Sequence, residues 1–273
     1  MTGQLAELLR GRRWVALTGA GISTDSGIPD YRGAGARPTN PIQYADFLGA
    51  ESVRRRYWAR SLLGFRSFGV ARPNPGHDAL VALRESGLRT VITQNVDGLH
   101  QAAGSPSVID LHGRIDRVIC LSCGAVSART ELQRRLEAAN PGVEGKVAAG
   151  RAELDDARLR PDGDAVVEQW GDFVVLPCDR CGGVLKPDVV FFGESVPPER
   201  VAVSYRVVDE AEVLLVAGSS LTVMSGLRFV RHAAKAGKPV AIINRGPTRG
   251  DELATVRIDG GTSETLVELA ANL

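Results

Sequence analysis

Net charge is what the 273-residue chain most lacks: 33 Lys and Arg stand against 32 Asp and Glu. With no global field of either sign, nucleic acid and acidic membrane surfaces are not expected as partners. Only four of the basic residues are lysine, an imbalance that carries no functional argument. No apolar run approaches the roughly 18 residues that cross a bilayer, and the opening MTGQLAELLRGRR holds no apolar stretch of signal-peptide length. A cytoplasmic protein is expected. Internal repeats and low-complexity tracts are missing too. No cysteine is left over: all four fall into Cys120-x-x-Cys123 and Cys178-x-x-Cys181, and a cytosolic setting favours metal over disulfide. What is present, 44% apolar residues in a chain of this length, suits one large domain with a small appendage, since single cores stop growing near about 250 residues.

Four short apolar runs each end in Gly, Ser or Asn. Arg13–Thr18 leads into Gly19-Ala20-Gly21, with a helix expected from Ile22 onward. Thr90–Thr93 leads into Gln94-Asn95-Val96-Asp97-Gly98, Val213–Ala217 into Gly218-Ser219-Ser220, and Pro239–Ile243 into Asn244-Arg245-Gly246. Continuous rather than alternating apolar runs mark strands covered on both faces. They predict a parallel sheet whose carboxyl edge carries a site. Asn74 with Pro75 predicts a helix start and Gly87 a left-handed terminus, and Ser225 to Ala236 followed by Gly237 repeats the pattern. Residues 34–71, with a helical stretch from Ala50 to Leu63, and residues 119–185, around the cysteines, interrupt the alternation. Two insertions into one sheet domain predict a small second domain built from both.

The chemistry-bearing residues can first be weighed one by one. Gly19-x-Gly21 after a strand suits a turn whose bare N–H groups meet a phosphate. A dinucleotide fingerprint would place a third glycine at Thr24 and an acidic residue about 20 positions on, and neither is there; a plain tight turn is the alternative. His112, between Leu111 and Gly113, is either a packed histidine or a base that titrates near neutrality within reach of a ligand. Asn95 and Asp97 can close an Asx turn. They can equally supply the dipole and carboxylate that a developing cation rewards. The cysteine pairs can present four thiolates to one structural metal with no open position, against a redox dithiol. The 54 residues between Cys123 and Cys178 exceed the about 15–20 of a compact four-cysteine knuckle. Within them Arg160-Pro161-Asp162-Gly163-Asp164 reads as a chain reversal. Tyr57 and Arg60, at i and i+3, share a helix face where a phenol and a guanidinium could grip one carboxylate, or simply pack.

The string Gly19-Ala20-Gly21-Ile22-Ser23-Thr24-Asp25-Ser26-Gly27-Ile28-Pro29-Asp30-Tyr31-Arg32 resembles the signature of the sirtuins, NAD-dependent protein-lysine deacylases. The resemblance continues in family order through Gln94-Asn95-Val96-Asp97, Leu111-His112-Gly113, both cysteine pairs, Val190-Phe191-Phe192-Gly193-Glu194, Gly218-Ser219-Ser220 and Asn244, and covers nearly the whole chain. It implies an α/β fold: a Rossmann-type NAD-binding domain of residues 1–33, 72–118 and 186–273, with a smaller helical and zinc-binding domain of 34–71 and 119–185. It implies NAD as co-substrate and one structural Zn2+ held by Cys120, Cys123, Cys178 and Cys181. Cofactor contacts carried over are Gly19, Ala20, Gly21, Thr24, Asp30, Tyr31, Arg32, Gln94, Asn95, Asp97, Gly218, Ser219, Ser220, Asn244, Arg245, Gly246 and Thr262. His112, Asn95 and Asp97 would be catalytic: the acyl oxygen attacks the ribose carbon as nicotinamide leaves, and His112 then activates a ribose hydroxyl. Val190, Phe192, Gly193 and Glu194 would form one wall of a groove where an acyl-lysine peptide adds as a strand.

The long insert, together with Arg37-Pro38 to Pro41-Ile42-Gln43, Arg56–Arg60, Lys186–Glu194 and Gly246–Arg249, resembles the class II sirtuins. Tyr57-x-x-Arg60 also looks like the acidic-acyl clamp of class III, which implies an acyl preference other than acetyl. Mono-ADP-ribosyl transfer and an NAD or ADP-ribose sensor without turnover are the competing functions. Retention of His112 with Asn95 and Asp97 disfavours both. A monomer is expected from the near-neutral charge and lack of long tails.

Overall fold

The computed structural model describes residues 2–30, 41–68, 71–142 and 171–273. Along the chain these form α1 (Thr2–Leu9), β1 (Trp14–Thr18), α2 (Tyr44–Gly49), α3 (Glu51–Phe68), α4 (Pro75–Ala82), β2 (Leu88–Thr93), α5 (Leu99–Ala102), β3 (Val108–Asp110), β4 (Gly113–Cys120), β5 (Val126–Ala128) and α6 (Arg129–Ala139). Beyond them come β6 (Leu185–Val189), α7 (Pro198–Glu210), β7 (Val213–Ala217), α8 (Met224–Lys235), β8 (Val240–Ile243), β9 (Val256–Ile258) and α9 (Thr262–Asn272). The chain divides into two units, Met1–Ala36 with Arg72–His112 and Val196–Leu273, and Arg37–Ala71 with Gly113–Ser195.

In the first unit a six-stranded parallel sheet runs in the order β3-β2-β1-β7-β8-β9. Alternation along each strand feeds two cores. Trp14, Ala16, Val91, Val213, Leu215, Ala241 and Ile243 pack with Leu5 and Leu9 of α1, Leu80 of α4 and Leu266 of α9. Val15, Leu17, Ile92, Leu214, Val216, Val240 and Ile242 pack on the other face with Val208 of α7 and Leu227, Phe229 and Val230 of α8. Both faces being covered is why these strands read as unbroken apolar runs. Each fully buried Leu, Ile or Val side chain contributes roughly 1.5–3 kcal/mol through removal from water.

Local signals place the helices. The Asn74 side chain accepts from the backbone N–H groups of Gly76 and His77, with Pro75 at the first helical position of α4. Gly87 takes a φ of +105°, and a Cβ there would sit 2.1 Å from the Arg12 carbonyl oxygen. The helix expected from Ile22 onward is replaced by two 3-10 turns, Ala20–Ile22 and Thr24–Ser26. Gly27, with φ of +81°, ends the second turn.

In the second unit β5-β4-β6 form a three-stranded antiparallel sheet, and Phe47, Tyr57, Trp58, Leu62, Val118, Leu132, Leu136 and Leu185 make its core with α2, α3 and α6. Strands β4 and β6 pair with each other, so residues 113–118 and 186–195 group with the cysteine-bearing unit, whereas the sequence boundaries assign them to the sheet domain. Arg37 and Pro38 and the Arg160–Asp164 turn lie outside the described residues.

Candidate active site

Because the six strands run parallel, the segments that leave their carboxyl ends share one edge of the first unit. They are Gly19–Gly21 after β1, Gln94–Asp97 after β2, Leu111–His112 after β3, Gly218–Ser220 after β7, Asn244–Gly246 after β8 and Asp259–Thr262 after β9. Strand order reverses between β1 and β7, the topological switch point at which open α/β sheets bind ligands. Two glycine loops meet there. The Gly21 N–H donates to the Gly218 carbonyl at 2.8 Å and the Gly19 N–H to the Ala217 carbonyl at 3.2 Å. A Cβ on Gly19 would lie 2.8 Å from the Gly218 oxygen, and one on Gly21 2.9 Å from the Gly218 Cα. Gly218 itself has a φ of +66°. This corrects one expectation: the N–H groups of Gly19 and Gly21 are not bare but spent on the neighbouring loop, and the glycines are required for that close approach.

Ser23, which sequence reasoning did not single out, is the hub of the adjoining polar cluster. Its buried hydroxyl donates to Asp97 Oδ2 at 2.7 Å and accepts from Asn95 Nδ2 at 3.0 Å. The Asn95 amide also donates to the Gly19 carbonyl at 3.1 Å. Asp97 Oδ1 accepts the Leu99 N–H at 2.9 Å, so the Asx turn and the clustering with Asn95 are present together. Gln94 spans three strands: its backbone N–H and its Nε2 donate to the Thr18 carbonyl, and Nε2 also donates to Ser219 Oγ at 2.8 Å.

His112 sits beside this cluster, held at both ring nitrogens. Nδ1 is 2.8 Å from the Gln94 carbonyl oxygen. A carbonyl only accepts, so Nδ1 carries the proton and Nε2 keeps its lone pair. Ser225 Oγ, 2.8 Å from Nε2, therefore donates to it. Burial pushes the imidazole down to about 4; the Gln94 carbonyl pulls the other way, and the Arg200 and Arg228 guanidiniums lower it further. At neutral pH the ring is an uncharged base in a single tautomer.

The exposed Thr24 donates to the Gly21 carbonyl at 3.1 Å, and Ser220 Oγ lies 3.0 Å from Thr222 Oγ1. Asn244 Nδ2 donates to the carbonyls of Arg245 and Gly246, closing its own loop. Gly246 N–H donates to Asp259, and the exposed Arg245 faces Glu264 at 3.5 Å. Thr262 is buried at the start of α9, Ala20 lies in the first 3-10 turn and Asp30 is half-buried. Tyr31 and Arg32 lie outside the described residues. A second polar layer was also missed by sequence reasoning. His100 Nε2 is 2.9 Å from Thr18 Oγ1, and its ring centre is 4.9 Å from that of His77. Both histidines are buried, and burial lowers both, His100 to about 3.

In the second unit, Tyr57 is buried, meeting Phe47, Trp58 and Phe191 edge to face, and Arg60 is half-buried one turn further along α3. The Val190–Glu194 loop follows β6. Phe192 bridges in parallel to Gln43, its carbonyl accepts the Tyr44 N–H at 2.8 Å, and its side chain is exposed. Gly193 has a φ of +77°. Glu194 accepts from the Phe191 N–H at 2.8 Å and from the buried Lys186 Nζ at 3.1 Å, which pins the loop to β6.

The four cysteine sulfurs lie within 4.8 Å of one another, with Cys120 to Cys181 at 3.5 Å and Cys123 to Cys178 at 3.9 Å. Zn–S bonds of about 2.3 Å give a tetrahedron with S–S edges near about 3.8 Å. Two matching turns carry the pairs: the Gly124 N–H donates to the Cys120 carbonyl at 2.9 Å and the Gly182 N–H to the Cys178 carbonyl at 2.8 Å. The backbone N–H of Cys123, ahead of the other contacts, pulls the Cys120 thiol down to about 6. At Cys181 the Gly183 N–H lowers the thiol, but the neighbouring sulfurs push it up to about 12. Four thiolates so close repel one another unless a cation sits among them, and the donor set fits one structural zinc ion.

The Sir2 family model matches residues 19–225. NAD-dependent protein deacetylase 1 of Mycobacterium avium (strain 104) is 55% identical over 271 residues, covering 99% of this chain and 95% of the relative. NAD-dependent protein deacetylase 1 of Streptomyces coelicolor is 60% identical over 259 residues, covering 93% and 84%. A solved Sir2 structure bound to acetylated peptide matches with a TM-score of 0.78 at 28% identity, covering 99% of this chain and 98% of that one. The fold and site define an NAD-dependent enzyme built on a Rossmann-like sheet. The chain belongs to the Sir2 family, the sirtuins, and with it to the NAD-dependent protein deacylases.

Proposed function

We propose that this enzyme transfers the acyl group of an acyl-lysine protein or peptide to ADP-ribose, releasing nicotinamide, with His112 as the base. The observation that carries the reading is the fixed tautomer: Gln94 holds the proton on Nδ1, so the basic nitrogen is Nε2, whose lone pair meets the exchangeable hydroxyl of Ser225 at the carboxyl edge of the sheet. NAD, when bound, supplies a ribose carbon that the acyl oxygen attacks as nicotinamide departs. Asp97 and Asn95, braced by Ser23, then face developing positive charge with a preplaced carboxylate and dipole. His112 takes the proton of a ribose hydroxyl. The loops at residues 19–21, 218–220 and 244–246 hold the nucleotide. Phe192, Gly193 and Glu194 offer main chain to the extended peptide, a mode supported by the pinned loop after β6.

Nicotinamide release with and without an acetyl-lysine peptide tests this. Peptide-dependent release is expected; release without peptide would indicate ADP-ribosyl transfer or hydrolysis, and no release a sensor.

For the acyl group, we propose a preference for acidic acyl chains over acetyl, with Arg60 and Tyr57 as the recognition pair. Their shared face on α3 supports it, and the aromatic packing of Tyr57 gives the phenol a rigid seat. In a panel of acetyl-, succinyl- and glutaryl-lysine peptides, Arg60→Met should depress the acidic substrates selectively. Equal loss on acetyl and glutaryl peptides would sink the clamp. The placement in the class II branch rests on the motif strings in the sequence.

A further inference from the structure

Ser225 is the second residue of α8, and its hydroxyl is the group that meets Nε2 of His112, at 2.8 Å. With Nδ1 committed to the Gln94 carbonyl, the serine donates while the ring is neutral. Once Nε2 has taken a proton, both ring nitrogens are donors, and the hydroxyl can rotate about its C–O bond and accept. A bond from a charged donor is about twice as strong as a neutral one, so this reversal favours the imidazolium. The surroundings otherwise oppose a charged ring: it is largely desolvated, and the charged side chains acting on it are Arg200 of α7 and Arg228 of α8.

Resting on the reading of His112 as the base, we propose that Ser225 is its positioning residue. Its hydroxyl donates to the Nε2 lone pair in the resting site, yields that position to the ribose hydroxyl, and turns to accept from Nε2–H once the proton has moved and the ribose oxygen has left to bond the acyl carbon. The proton moves from the ribose hydroxyl oxygen to Nε2, the freed oxygen forms its bond to the acyl carbon as that carbon's π bond to the lysine nitrogen breaks and its pair settles on the nitrogen, and the serine keeps its own proton. No charge or leaving group passes through Ser225. Its effect is confined to the step after nicotinamide departs.

The test compares the full-length wild type with Ser225→Ala, Ser225→Thr and His112→Ala on an acetyl-lysine peptide. The readouts are kcat and KM against pH, exchange of labelled nicotinamide into NAD, and 15N-histidine NMR titration. In Ser225→Ala, kcat should fall about tenfold, equivalent to about 1.4 kcal/mol, with the KM for NAD and the exchange rate nearly unchanged. Its His112 titration should move to lower pH with the Nδ1–H tautomer less dominant, and Ser225→Thr should restore both. Wild-type kcat and an unmoved titration in Ser225→Ala, alongside an inactive His112→Ala, would overturn the role of Ser225 and leave the base in place. Full activity of His112→Ala would instead remove the base assignment, and the inference with it.

Discussion

At His112 two neighbours divide the ring: a carbonyl that can only accept and a hydroxyl that can do either. The division explains why a ring whose basicity burial has depressed to about 4 is still suited to its task. It is neutral throughout the physiological range and charges only when a proton is delivered to it. Replacing His112 by Tyr should remove turnover, by on the order of a hundredfold or more as expected for loss of a positioned base, while leaving NAD affinity within a few-fold. Calorimetric titration of NAD beside turnover assays checks this, and full activity would refute the base. At this scale Gly19, Asn95, Asp97 and His112 were recognisable from their strings, because functional groups at strand ends are local patterns. Ser23 and Ser225 were not. Serine is common, and what distinguishes these two is a partner 74 and 113 residues away.

The elements follow two different logics. Strands β1, β2, β7 and β8 were readable because burial on both faces writes itself as an apolar run. The three-residue β3 and β9 are too short for any period and exist because they pair onto β2 and β8. The segment after β1 turns through 3-10 geometry because its glycines are drawn against Gly218, a contact no local pattern encodes. The zinc module depends on cross-chain assembly: β4 and β6 are 64 residues apart in sequence, yet their pairing places one cysteine pair against the other. We expect metal analysis to find one zinc per chain. Removing the ion, or replacing Cys178 by Ser, should lower the melting temperature and expose the core of the second unit, since structural zinc in small domains contributes on the order of 10 kcal/mol. Active protein free of zinc would overturn the assignment.

For the molecule as a whole, the depressed histidines set a pH dependence. His77, His100 and His112 are all lowered from the ordinary value of 6.5, mainly by burial, the latter two to about 3 and about 4. Above 6.5 neither the folded nor the unfolded chain protonates them. As pH falls below 6.5 the unfolded chain takes up protons that the native one refuses, so stability declines toward pH 4. Each group contributes a slope of up to about 1.4 kcal/mol per pH unit. Urea unfolding at pH 7.5, 6 and 5 measures it, and equal stabilities at those three values would contradict the lowered basicity of the three rings. The Sir2 membership, the sheet class and the cysteine arithmetic lay in the order of residues along the chain, because each is a short string whose spacing has few physical meanings. The tertiary structure alone decided that the β1 glycines serve a loop contact and that β4 and β6 join the zinc unit. It alone fixed the His112 proton on Nδ1. Each of these depends on an atom from a distant segment arriving within hydrogen-bond or van der Waals range.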